Sequence, residues 1–274
     1  MTKRCGRLRG RASEPTGRPA LPPSCVNGGG PASILRLDAV PALEREVALD
    51  PRSLPLFRLW GARPGEILTL VDAEQVSHRV RLVGLDPAPC VVPFATFARP
   101  TESRVAIDVY QALPEKERFE LVLQKLTELG AARIVPVETA RSITLAERDA
   151  EQAKSHRWPD VVLRAARQCR RAMLPELFGV ATFAEALQLA AGAELRLMLY
   201  EGEDVWALRE AIGRLRPERV ALLVGPEGGF AADEVAEARA AGFLPVGLGP
   251  RILRTETAAI AGTVLLQGLL GDLD

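Results

Sequence analysis

The sequence predicts an α/β protein: a C-terminal domain built on a mostly parallel sheet, preceded by a small β-barrel. Three observations carry this. Strand-like and helix-like segments alternate from residue 104 to the end. One run, Val220-Ala-Leu-Leu-Val224, is uniformly apolar, the pattern of a strand buried on both faces. Between residues 31 and 100, short β-like runs are punctuated by Pro and Gly, with no helix of any length in view. The chain has 274 residues, 47% of them hydrophobic, enough to bury a core in one large domain or two modest ones.

Residues 1–30 read as a disordered basic tail, rich in Arg, Gly and Pro and without an apolar period. Such a start also suits an organellar transit peptide or a basic arm on RNA. Residues 31–100 read as the barrel. Glu66–Val71, Val76–Leu85 and Cys90–Pro93 are its strand candidates, and Arg99–Ser103 is a polar breaker that marks the domain boundary.

Residues 104–274 hold the α/β alternation. Strands are expected at Val105–Tyr110, Arg133–Val137, Leu195–Tyr200, Val220–Val224 and Leu244–Leu248. Lys116–Leu129 is an amphipathic helix, with Phe119, Val122, Leu123, Leu126 and Leu129 on one stripe and Gly130 as its stop. A long helical stretch runs from about Glu147 to Met173, broken or restarted at Pro159. Further helices are expected at Thr182–Ala190, Val205–Leu215, Asp233–Ala241 and Thr255–Leu270.

Charge and cysteine usage narrow the function classes. The 35 Lys and Arg balance 35 Asp and Glu, so the total shows no strongly basic nucleic-acid binder, although a local patch is compatible with it. Cys5, Cys25, Cys90 and Cys169 are scattered without a CxxC pair, and only His78 and His156 are available. No metal site and no disulfide framework are expected, which suits a reducing cytoplasm. The longest apolar run, Ala258–Leu270, is interrupted by Thr263 and Gln267 and is too short to span a bilayer.

Ligands of open α/β sheets sit beyond the carboxyl ends of the strands. Two unusual loops fall there: Gly225-Pro226-Glu227-Gly228-Gly229-Phe230 and Leu248-Gly249-Pro250-Arg251-Ile252-Leu253-Arg254-Thr255-Glu256-Thr257. They lie one α–β unit apart, so both can open on one cleft. The first is neither a Walker loop nor GxGxxG. Its Glu227 would repel a pyrophosphate, so an uncharged adenosine fits better. The Gly228-Gly229 pair permits close backbone approach; alone, it is equally compatible with a plain strand-to-helix turn.

GPEGGF followed by LGPRILRTETA closely resembles the SPOUT-class RNA methyltransferases, and within them the family that methylates N3 of a uridine in 16S ribosomal RNA. Gln124–Gly130, Arg141-Ser142, Arg157-Trp158, Arg167–Arg171 and Pro175 resemble further family stretches, and the likeness covers residues 105–270. Phe57-Arg58-Leu59 and Pro64-Gly65-Glu66 resemble the family's N-terminal, PUA-like RNA-binding barrel only loosely. Arg167 stands where the family commonly has an acidic residue. The resemblance implies a C-terminal trefoil knot, bound S-adenosyl-L-methionine (SAM) and a homodimer acting on 16S rRNA in a nearly assembled small ribosomal subunit. It places SAM against Tyr200, Glu201, Gly225, Pro226, Glu227, Gly228, Gly229, Leu248, Gly249, Ile252, Leu253, Thr255, Thr257 and Ala258. A SPOUT enzyme methylating ribose 2′-oxygen and a non-catalytic RNA-binding protein are the alternatives.

On a helical wheel at about 100° per residue, Arg164, Arg167, Gln168 and Arg171 fall on one face, suited to RNA phosphates. Arg58 and Arg141 extend the expected RNA surface. For the chemistry, Arg254 is the expected electrostatic stabiliser and Glu227 or Glu256 the base, with an Arg254–Glu256 ion pair as the structural alternative.

Overall fold

The computed structural model describes residues 23–114, 118–151 and 155–273. The N-terminal unit comprises β1 (Val47–Ala48), α1 (Leu54–Leu59), β2 (Ile67–Val71), β3 (Ser77–Gly84) and β4 (Cys90–Thr96). Its strands pair antiparallel in the order β1-β4-β3-β2. Asp72 fixes the β2–β3 turn, accepting from the amides of Glu74 and Val76 at 2.9 Å and bonding His78 Nε2 at 2.8 Å. Burial pushes the Asp72 carboxyl up, but the His78 bond and the two amides outweigh it and hold it below its ordinary range. The six-residue helix α1 departs from the all-β reading of this part. Pro55 sits in its first turn, where a missing N–H costs nothing, and Phe57 is fully buried.

The second part continues with β5 (Ala106–Ala112), α2 (Arg118–Glu128), β6 (Arg133–Glu138), α3 (Leu145–Glu151) and α4 (Trp158–Cys169). Then come β7 (Glu176–Leu177), β8 (Ala181–Thr182), α5 (Phe183–Ala190), β9 (Leu195–Leu199) and β10 (Trp206–Ala207). The chain closes with α6 (Leu208–Ile212), β11 (Arg219–Val224), α7 (Ala232–Ala240), β12 (Leu244–Gly247) and α8 (Thr255–Leu270). The sheet runs β10-β12-β9-β11-β5-β6-β7, with β8 also on β6, and every pairing is parallel.

Alternate residues of the central strands feed two cores. Val220, Leu222 and Val224 pack with Phe119, Trp158 and Leu266 under α2, α4 and α8. Ala221 and Leu223 pack with Ala186, Phe230 and Ala238 under α5 and α7. This is the two-faced burial expected of β11. A third core joins Phe57, Leu70, Val80 and Val91 of the N-terminal unit to Ala166 and Leu174, so α4 and the segment after it serve both parts.

Several expectations are corrected. The stretch from Glu147 to Met173 is not one helix: α4 restarts with Pro159 in its first turn and ends at Cys169. Arg170 follows in the left-handed region at φ 59° and terminates it. The helix expected over Val205–Leu215 is a two-residue edge strand followed by the short α6. Most of the expected tail lies outside the described residues, but residues 23–30 pack along β7. Val26 N–H donates to Leu177 O at 2.8 Å and Gly30 N–H to Leu174 O at 2.8 Å. Asn27 donates to Pro175 O at 2.9 Å and accepts from Leu177 N–H at 3.0 Å. Backbone pairing of this kind needs no apolar period, so composition concealed it. Among the described residues no helix is long and apolar enough to cross a membrane.

Candidate active site

Strands β9, β11 and β12 are neighbours and end at the same edge, so their loops converge. Between them lies a cavity of about 500 Å³, within the range of small-molecule sites. Its walls are the Gly225–Phe230 loop, the Leu248–Thr255 loop and Tyr200–Gly202, with Ala258 of α8. Every donor residue expected from sequence lines it except Thr257, which is exposed on the first turn of α8. Ile252 sits in the lining but is 82% exposed, so most of its side chain lies outside the wall. Leu199, Val224, Phe230 and Val246 also line the cavity. Sequence reasoning missed Leu199, Val224 and Val246 because strand-end hydrophobes read as core.

The loops are held from behind. Thr255 Oγ1 donates to Gly225 O at 2.5 Å and accepts from Gln111 Nε2 at 2.9 Å. This ties the start of α8 to the exits of β11 and β5. Glu234 of α7, nearly buried, accepts from the amides of Ala140 at 2.7 Å and Ala231 at 2.9 Å. Arg141 Nη1 donates to Gly228 O at 3.0 Å, and Arg118 pairs with Glu227 at 2.9 Å. Two guanidiniums from neighbouring strand exits therefore brace the glycine loop.

The cavity has room where a side chain would otherwise stand. Gly229 lies at φ +66°, and an added Cβ would meet only Glu201 Oε1, at 3.9 Å. Gly249 lies at φ +109° with nothing within 4 Å of such a carbon. A ligand can thus rest directly on the main chain at both loops.

The expected chemical groups separate. Arg254 is exposed at the cavity edge and makes no side-chain hydrogen bond or ion pair among the described residues. The alternative Arg254–Glu256 ion pair is absent there. Glu256 does not line the cavity, and its Oε2 is buried with no hydrogen-bond partner among the described residues. Glu227 lines the cavity but is engaged by Arg118.

The expected RNA face is corrected more strongly. Arg171 is 6% exposed. It donates to Glu102 through Nε at 3.0 Å and Nη2 at 2.6 Å, and to the carbonyls of Thr127 and Ala131. The wheel that aligned it with Arg164 fails because α4 stops two residues earlier. Arg167 pairs with Glu66 of the N-terminal unit, so it joins the two parts rather than facing solvent. Arg58, Arg141, Arg164 and Gln168 remain exposed.

A family model described as the RNA methyltransferase domain matches residues 101–267. The chain belongs to that family. A Mycobacterium tuberculosis relative, ribosomal RNA small subunit methyltransferase E, is 38% identical over 57% of this chain, and the match spans 60% of the relative's length. The Bacillus subtilis protein of the same name is 30% identical over 69% of this chain and 75% of its own. The solved Neisseria gonorrhoeae protein of that name, bound to S-adenosyl methionine, superposes with a TM-score of 0.61 at 29% identity. That likeness covers 88% of this chain and 98% of the other. The two family loops of this chain are the walls of its cavity.

Proposed function

We propose that this chain transfers a methyl group from SAM to N3 of a uracil in 16S rRNA, within an assembled or nearly assembled small ribosomal subunit. The observation that carries the reading is the cavity at the carboxyl ends of β9, β11 and β12, bounded by both glycine loops. The named relatives and the SAM-bound neighbour support it.

SAM fits the residues present. The open space at Gly229 and Gly249 suits close approach of an adenosine. The main chain of Gly225–Gly229, Leu248, Gly249 and Leu253 would hold it, with Tyr200 and Glu201 as the third wall. Bound there, SAM supplies an electrophilic methyl group.

This chain's own task concerns the uracil. N3 carries a proton whose pKa lies well above neutrality, and the nucleophile is the anion, with charge spread onto O2 and O4. Arg254 would stabilise that charge through a planar, permanently charged fork. It stands just before the first turn of the sixteen-residue helix α8, whose unpaired amides add positive potential at that end. Glu227 is held by Arg118 and Glu256 lies outside the lining, so the reading favours electrostatic stabilisation over a carboxylate base.

Arg58, Arg141, Arg164 and Gln168 form the proposed RNA surface, and the N-terminal sheet would close as the family's barrel to extend it. The exposed Val264 and Leu265 on α8, beside Ala261 and Gly268, suit a second copy of the chain in a homodimer. The passage from β12 to α8 beside the β11 exit suits the expected knot. The division into residues 31–100 and 104–274 and a cytoplasmic location belong to the same proposal.

The test incubates the full chain with SAM and unmodified small subunits, then maps nucleosides by mass spectrometry. Stoichiometric 3-methyluridine supports the reading. A 2′-O-methylated nucleoside would transfer it to ribose chemistry, and no product with intact RNA binding would make the protein a binder.

A further inference from the structure

Ile252 is the most exposed large apolar side chain among the described residues, at 82% against 55% for the next, Val26 and Val40. Lone exposed aliphatics are ordinary on protein surfaces. This one stands at the rim of the cavity, in the loop between β12 and α8. Arg251 and Arg254 flank it in sequence and also line the cavity. Both arginines are exposed, and neither makes a side-chain hydrogen bond or ion pair among the described residues. A branched aliphatic group therefore stands exposed on a rim that also carries two arginines unpaired among the described residues.

That combination selects the occupant. A second copy of this chain meeting the rim with its own rim would bring like charges together around each isoleucine. A polyanion with flat apolar bases satisfies both parts: its anionic groups take the guanidiniums and a base face covers the side chain. Aliphatic side chains do this elsewhere when they wedge between stacked bases. Chemistry at uracil N3 needs the base out of any pair, because that atom lies on the pairing edge.

We propose that the Ile252 side chain is the apolar face that takes the place of a stacking neighbour when the target base leaves its stack, with Arg251 gripping an adjoining phosphate while Arg254 stays on the uracil. The inference rests on the proposed RNA methylation and adds to it a residue that positions the RNA target.

The test compares wild type, Ile252→Ser and Ile252→Leu on 16S rRNA in small subunits. SAM affinity is measured by calorimetry and mass by sedimentation. Serine should lower kcat/KM for rRNA by at least about tenfold, and leucine should restore it to within about threefold of wild type. SAM affinity should stay within about twofold and the sedimenting species should not change. In a 16S rRNA fragment containing the methylated uridine, 2-aminopurine beside that uridine should brighten with wild type and not with the serine variant. Unchanged turnover in the serine variant would overturn the inference. So would a matching loss of SAM affinity, which would make Ile252 part of the donor wall. A shift to a smaller species would overturn it too, as a subunit contact. If wild type transfers no methyl group to rRNA, the proposed function fails and takes this inference with it. If wild type is active, only the role of Ile252 is at stake.

Discussion

At the amino edge of the parallel sheet, Arg219 and Arg133 share a buried carboxylate. Arg219 donates to both oxygens of Asp108 at 2.7 and 2.8 Å, and Arg133 reaches the same carboxylate at 3.6 Å and Glu176 at 2.6 Å. Asp108 is 1% exposed, and burial pushes its carboxyl above the ordinary range against the pull of both guanidiniums. At the carboxyl edge, Arg251 and Arg254 stand exposed without such partners among the described residues, beside glycines whose missing side chains leave a cavity. One strand set therefore carries two opposite electrostatic designs. The amino edge spends its charges on internal order, while the carboxyl edge keeps cations and main chain available for a ligand.

Substitutions at the two edges should separate accordingly. Gly229→Val adds a branched side chain in the left-handed region, where the donor would rest. Calorimetry should show SAM affinity reduced by at least about 100-fold, roughly 2.7 kcal/mol, with cooperative unfolding retained. Normal affinity would move the donor elsewhere. Asp108→Ala should do the reverse. It strips two arginines of their shared acceptor and should cost about 2 kcal/mol in denaturant unfolding, less than for a fully buried pair because both guanidiniums are about one-third exposed. SAM affinity should not move; a comparable loss of it would erase the contrast between the edges. Arg254→Lys keeps the charge but loses the planar fork. It should preserve SAM affinity and slow methyl transfer by about tenfold, or 1.4 kcal/mol. Equal turnover would remove Arg254 from the chemistry.

Much of this was legible in the residues. The Val220–Val224 run, the stripe on α2 and the two loops gave the sheet, its helices and nearly all of the cavity, because period and glycine placement are local signals. What stayed hidden depended on contacts distant in sequence. Arg171 looked helical because nothing in Cys169-Arg170-Arg171 announces a left-handed residue; Gly or Asn would have done so. Arg167 and Glu66 are 101 residues apart, and no spacing rule links them. Asn27 holds Pro175 and Leu177 from a segment whose composition reads as disordered. Strands β7, β8 and β10, two residues each, are too short to show a period.

Hydrogen–deuterium exchange with and without SAM tests the contrast between the edges most directly. Protection should appear in residues 199–202, 224–230 and 246–258, the strand exits around the cavity. The amino-edge segments 106–108, 131–133 and 217–220 should exchange alike in both states. Protection at the amino edge, or none at the two glycine loops, would contradict the account.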